Sequence, residues 1–138
     1  TPNSIGYVGS EYAFAQKIPF AQIQNVRGEF VLPSSASISA AASGEIPDDT
    51  RCSITNADAK EAYPISTFTW MILYQEQNYS DRSKEQAVAT LDLLQYILSD
   101  EVQKIASEVH YAPLPAKAKE LSMKNLKTVT FDGAAIWQ

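Results

Sequence analysis

Tyr63-Pro64-Ile65-Ser66-Thr67-Phe68-Thr69-Trp70-Met71-Ile72-Leu73-Tyr74 is the run whose reading decides the fold. Ile65, Phe68, Trp70, Met71, Ile72, Leu73 and Tyr74 replace the alternation of a half-wet strand by a nearly continuous apolar stretch, the pattern of a strand covered on both faces. The run is entered through a proline, which suits a strand's first residue and holds Tyr63 extended, and it is left through the polar Gln75-Glu76-Gln77-Asn78. The helical pattern that follows is its natural cover. Everything before Tyr63 is Ser-, Ala- and turn-rich, so a lobe boundary is expected at Tyr63-Pro64.

The helix after the run is expected to take its cap from Ser80-Asp81-Arg82-Ser83 and to reach about Leu98, with Ala87, Leu91, Leu94 and Leu98 on one face. A second helix starts at Ser99-Asp100 and ends before Tyr111-Ala112-Pro113-Leu114-Pro115, whose prolines forbid an ordinary helix interior. A third starts near Ala116 and carries Leu121 and Leu126. The tail from Val129 to Gln138 is left without an assignment. Upstream, Ile5 to Val8 reads as a short strand leading through Gly9-Ser10 into a helix that Pro19 closes. Ala21 to Val26 and Glu29 to Leu32 read as an antiparallel hairpin turning at Arg27-Gly28, and Ser34 or Ser35 caps a short helix ahead of Gly44. Loosely alternating strands and helices imply α/β layers.

The 138 residues are about one domain's worth, and a 45% apolar composition is enough to bury a core. Sixteen acidic against eleven basic residues, with no Lys/Arg cluster, argue against nucleic acid as a partner. No apolar run approaches the roughly 20 residues of a membrane span. A start at Thr1-Pro2-Asn3 is read as that of a processed product or a fragment.

Catalytic chemistry finds little to use. The one imidazole, His110, is read as capping the C-terminal end of the helix before it, where a partly positive ring suits the dipole. Cys52 is read as a small half-buried residue. Asp48-Asp49 and Asp100-Glu101 lack the alternating oxygen ligands of a calcium loop and are read as a solvated turn and a helix start. No metal site, cofactor or enzyme activity is therefore expected.

Thr1-Pro2-Asn3-Ser4-Ile5-Gly6-Tyr7-Val8 followed by Glu11-Tyr12-Ala13-Phe14-Ala15 resembles the T-P-G-S-I-G-Y-V…Y-A-Y-A segment of the phosphate-binding receptors of bacterial ABC importers. Asn25, Gly28 and Pro33-Ser34 fall where that family has N-x-x-G…P-S/T. Tyr63-Pro64-Ile65 matches its aromatic-Pro-Ile entry to a long strand, and Tyr111-Ala112-Pro113-Leu114-Pro115 its Y-x-P-L-P signature. The resemblance implies an α/β fold of the periplasmic-binding-protein type II-like class, present as the C-terminal part of a two-lobed receptor. Residues 1–62 would be part of the second lobe and 63–138 the C-terminal part of the first, with Ala62, Tyr63 and Pro64 as a hinge.

It further implies an extracytoplasmic receptor, periplasmic or anchored at the cell surface, that delivers inorganic phosphate to ABC permease membrane subunits. A receptor-like module for another oxyanion, or a surface interaction protein, is the alternative. The family's Arg-x-x-x-Ser-Gly-Thr segment is absent, since Arg27, Arg51 and Arg82 are each followed by other residues. No phosphate ligand can be carried over, and Ser66 and Thr67 are left as hydroxyl candidates at the cleft edge. The Phe68–Leu73 strand is expected to be covered by the missing N-terminal half or by self-association.

Overall fold

The computed structural model describes residues 3–137; Thr1 and Pro2, where the family resemblance begins, and Gln138 lie outside the described residues. Helices and short strands are mixed, and the chain divides into two compact units. The first runs to Gly44 and takes in Ile54–Ser66 and Lys104–Pro113; the second comprises Glu45–Ser53, Thr67–Gln103 and the chain from Leu114 onward.

In the first unit, α1 (Ser10–Ala15) follows Gly9, and β1 (Ile23–Gln24) pairs antiparallel with β2 (Phe30–Val31). Gly28 has φ +79°, so the turn expected at Arg27-Gly28 forms at a glycine whose missing Cβ permits that backbone. Helix α2 (Ser35–Ala41) begins as the sequence implies: Ser34 accepts from the Ser37 N–H, and the Ser37 hydroxyl accepts from the Ser34 N–H. Ala13, Val31, Ala41, Ala42, Ile54 and Ala62 are buried, a core of mostly small side chains.

Helix α1 ends on a left-handed residue. Lys17 has φ +54°, the Ile18 N–H reaches the Ala13 carbonyl at 2.9 Å and the Lys17 N–H reaches the Phe14 carbonyl at 3.2 Å. This double closure normally carries glycine, and a side chain in that conformation costs about 1 kcal/mol. Lys17 is exposed. Lys17→Gly is therefore expected to raise stability by roughly 0.5–1 kcal/mol in urea denaturation; an unchanged or lower midpoint would show that the strain is relieved elsewhere.

The second unit is built on α3 (Lys84–Leu98), which starts where the sequence places it. Ser83 accepts from the Gln86 N–H, and the Gln86 side chain accepts from the Ser83 N–H. Leu91, Leu126 and Val129 form a buried cluster, with Leu73, Leu94, Leu98, Met123, Ile136 and Trp137 packed against it. α5 (Ala116–Leu126) supplies Leu121 and Leu126 from the face that the 3.6-residue period predicts. Between α3 and α5 lies α4 (Asp100–Glu108), within which the chain passes from the second unit to the first.

His110 caps α4, but not through its ring. It sits at φ +70°, its N–H reaching the Ser107 carbonyl and the Tyr111 N–H reaching Ala106, so the cap is made by the backbone. The imidazole instead packs edge-on against Phe14, 5.9 Å between centroids.

Two expected strands are not formed. Ile5 to Val8 and the run from Tyr63 to Tyr74 belong to no ladder. Ile65, Trp70, Met71, Ile72 and Tyr74 are exposed, Ile72 at 95%, whereas Phe68 is half-buried and Leu73 reaches the core cluster. An apolar, β-branched sequence fits a pleated surface, but a strand exists only when neighbouring backbones take its N–H and C=O groups. Here the start of the run makes single hydrogen bonds to Ser37, Asn56 and Thr55, and the next backbone pairing comes just beyond its end. Glu76 forms an isolated parallel bridge with Thr130, which opens the hairpin of β3 (Thr130–Phe131) and β4 (Ala134–Ala135).

That hairpin occupies the tail left unassigned, and its signal was present. Asp132-Gly133 is a two-residue loop with φ +52° and +72°, the left-handed pair that Asp-Gly favours between short strands. No helix among the described residues is long and apolar enough to cross a membrane.

Candidate functional site

The segment singled out for a hinge and a cleft edge, Ala62 to Thr67, is fixed in different ways at its two ends. Ala62 is fully buried in the first unit. Its carbonyl accepts from Asn25 Nδ2 at 3.2 Å, the next N–H, of Tyr63, donates to the Ser37 carbonyl at 3.0 Å, and the Pro64 carbonyl accepts from the Asn56 N–H at 2.8 Å. Proline has no N–H to lose, so at this position it can only accept.

Asn25 is the residue that makes this docking possible. Its Oδ1 accepts from the N–H groups of Arg27 and Glu29, each at 3.0 Å, which closes the β1–β2 turn; its Nδ2 donates to Glu29 Oε2 at 2.8 Å as well as to Ala62. A short amide side chain suits this, since it imitates a backbone turn while keeping donors for a second segment. Glu29 Oε2 also accepts from the Glu61 N–H at 2.8 Å. The Asn25 hydrogen bond first, and that of Glu61 second, hold the Glu29 carboxyl below the usual glutamate range. Asn25 and Gly28, matched to the family by letter alone, thus have a mechanical reason to stand three residues apart.

Ser66 is buried, and its hydroxyl donates to the Tyr63 carbonyl at 2.7 Å while its own carbonyl accepts from Thr55. Burial pushes the Tyr63 phenol up. In the second unit Thr67 is exposed, with its hydroxyl on the Phe68 carbonyl at 3.2 Å. Both hydroxyls are thus engaged with local backbone.

Elsewhere the chemistry is sparse. A shallow depression of about 590 Å³ is lined by Tyr79, Ser80, Asp81, Arg82, Gln86 and Thr90. The Arg82 guanidinium there donates to the Tyr79 hydroxyl, the Gln86 carbonyl and the Thr90 hydroxyl, and it stacks over the Tyr79 ring. Those contacts tie the loop to α3. Asp48 and Asp49 take Lys124 and Arg51 respectively, and no group of three His, Cys, Asp or Glu side chains among the described residues is placed to hold a metal. Cys52 is half-buried and free.

Leu114, inside the Tyr111–Pro115 landmark, donates its N–H to Gln103 Oε1 at 2.7 Å, and Pro115 stands at the N-terminal cap of α5. Like Asn25 and Gly28, this landmark is a folding device.

No family model matches the chain. Among curated proteins, it is 40% identical over 115 residues to the phosphate-binding protein PstS of Xylella fastidiosa, an overlap of 81% of this chain and 30% of that protein. The phosphate-binding protein PstS of Haemophilus influenzae is 30% identical over 91% of the chain and 37% of its own length. That of Methanocaldococcus jannaschii is 28% identical over 94% of the chain and 36% of its own length. The chain spans about a third of the length of these relatives. Their names are those of binding proteins rather than enzymes. Over most of its residues the chain is therefore similar to about a third of the length of proteins named phosphate-binding protein.

Proposed function

We propose that this chain is the C-terminal portion of an extracytoplasmic receptor that holds inorganic phosphate between two lobes and delivers it to the membrane subunits of an ABC permease. The observation that carries this reading is the 40% identity across four-fifths of the chain to a protein named for phosphate binding. The fold is of the periplasmic-binding-protein type II-like class. Residues 1–62 contribute to the second lobe and 63–138 complete the first, and closure bends the chain about Ala62, Tyr63 and Pro64.

The ion is gripped mainly by residues outside this stretch. Ser66 and Thr67 border the cleft, and each must exchange its carbonyl partner for the anion to contribute directly. The exposed apolar side chains from Ile65 to Tyr74 support a covering partner. That partner is the remaining two-thirds of a family-length polypeptide, whose sheet takes the run as a strand.

Calorimetry tests the reading. The isolated chain is expected to give no heat with phosphate, and the chain recombined with the missing portion is expected to bind phosphate in preference to sulfate. A folded recombined pair that takes up no phosphate would overturn the proposal.

A further inference from the structure

The hairpin turn of the second unit is a small anion receptor that the chain itself occupies. Asp132 and Gly133 both have positive φ, and their successive N–H groups converge as in the backbone concavities that hold anions. Glu76 fills the concavity. Its Oε1 accepts from the N–H groups of Asn78 at 2.9 Å and Asp132 at 3.0 Å, and its Oε2 from the Gly133 N–H at 3.0 Å and the Thr130 hydroxyl at 2.9 Å. Four donors on two oxygens make a saturated site for one carboxylate. No lysine or arginine is among them; the carboxylate of Asp132, whose own N–H is one of the donors, accepts from Asn78 Nδ2.

The same place carries the backbone pairing of the residues that follow the exposed run. Thr130 donates its N–H to the Gln75 carbonyl and accepts from the Gln77 N–H, each at 2.8 Å, and Gln75 Nε2 reaches the Thr128 carbonyl. Two backbone bonds cannot by themselves choose a register, because any residue offers the same N–H and C=O. A slip by one residue would turn Leu73 away from the core cluster and bring Tyr74 toward it. A carboxylate that fits one concavity can choose.

We propose that Glu76 is a register lock, an internal anion seated in the Asp132-Gly133 turn that fixes the segment from Gln75 to Gln77 against Thr130 in a single parallel alignment. The lock is independent of what the receptor binds. It depends on charge: the Asn78 and Gly133 N–H groups are the leading causes that push the Glu76 carboxyl down to about 2. A lowered value means that the charged form is favoured when the lock is closed. The contribution is therefore complete above the ordinary carboxylate range and is lost as pH falls toward 2.

Amide hydrogen exchange on the whole 138-residue chain tests the lock. Glu76→Ala is expected to accelerate exchange at Gln77, Thr130, Asp132 and Gly133 by roughly tenfold or more while the α3 and α5 amides keep their protection. Added formate should slow those amides again, and Asp132→Asn, which removes a carboxylate from the turn residue but keeps its N–H, should leave them protected. Unchanged exchange in Glu76→Ala would overturn the proposal. A variant that fails to fold leaves the wild type to decide: the Asp132 and Gly133 amide resonances should shift together with a midpoint near 2, and a midpoint in the ordinary carboxylate range would equally overturn it.

Discussion

Leu91→Ala is expected to cost about 2–5 kcal/mol of stability, the largest loss from any single truncation in the second unit. Leu91 is fully buried in the cluster with Leu126 and Val129, ringed by half-buried Leu94, Leu98, Met123, Ile136 and Trp137. Removing its branched end withdraws apolar surface from burial and leaves a void that residues on both α3 and α5 line. Two helices held by their own ladders collapse poorly onto such a gap, which puts the expected loss in the upper part of the range. Domains of this size have only about 5–15 kcal/mol in total, so the variant should approach unfolding at moderate temperature. Urea denaturation followed by tryptophan fluorescence reads the change, since Trp137 packs against the cluster. Leu91→Met conserves volume and should lose less than about 1.5 kcal/mol. Equal losses for the two variants would mean that the cluster is not close-packed at this position.

Asn25→Ala is expected to cost on the order of 2–4 kcal/mol in the first unit, although it truncates only one small side chain, a buried one, of a polar turn. The substitution leaves the buried Ala62 carbonyl without its side-chain donor and the Arg27 and Glu29 N–H groups without their acceptor. Each group buried without a partner forfeits its hydration with nothing in exchange. The variant also removes the leading cause of the low Glu29 pKa. Its Glu29 titration should therefore return toward the ordinary range, and a carbon-13 carboxyl titration would show that shift separately from the stability loss. A stability change below about 0.5 kcal/mol, a surface residue's usual effect, would show that water replaces the Asn25 amide and that Ala62 is not anchored through it.

Much of the helical structure was legible because its causes are local. Ser34 and Ser83 stand where a hydroxyl can accept from the third N–H of a helix, and the caps form there. Pro113 and Pro115 separate α4 from α5 through missing donors and fixed dihedrals, without reference to distant residues. His110 was placed rightly at a helix end and wrongly in its means, since a dipole argument favours the ring where the backbone geometry makes the closure. The reading of residues 65 to 74 as a buried strand failed for a different reason. Composition reports that a segment suits a sheet, whereas pairing depends on which other strands are present.

The candidate site divides in the same way. The family landmarks were readable as letters, but the reason for Asn25 lay in Ala62, 37 residues further on, and no spacing rule connects them. Three of the four partners of Glu76, 54 to 57 residues away, were equally invisible. The sequence by itself determined where the helices begin and end, where the β1–β2 chain reverses, and to which family the residues are similar, because caps, prolines and turn residues act on neighbours within a few bonds. Only the tertiary structure decided that the apolar run stands outside any ladder, that Asn25 holds the Ala62 carbonyl, and that Glu76 closes the Asp132-Gly133 turn. Each of those outcomes depends on hydrogen-bond partners far apart in the chain, and a side chain's chemistry states what it can bond but not which distant backbone will arrive to meet it.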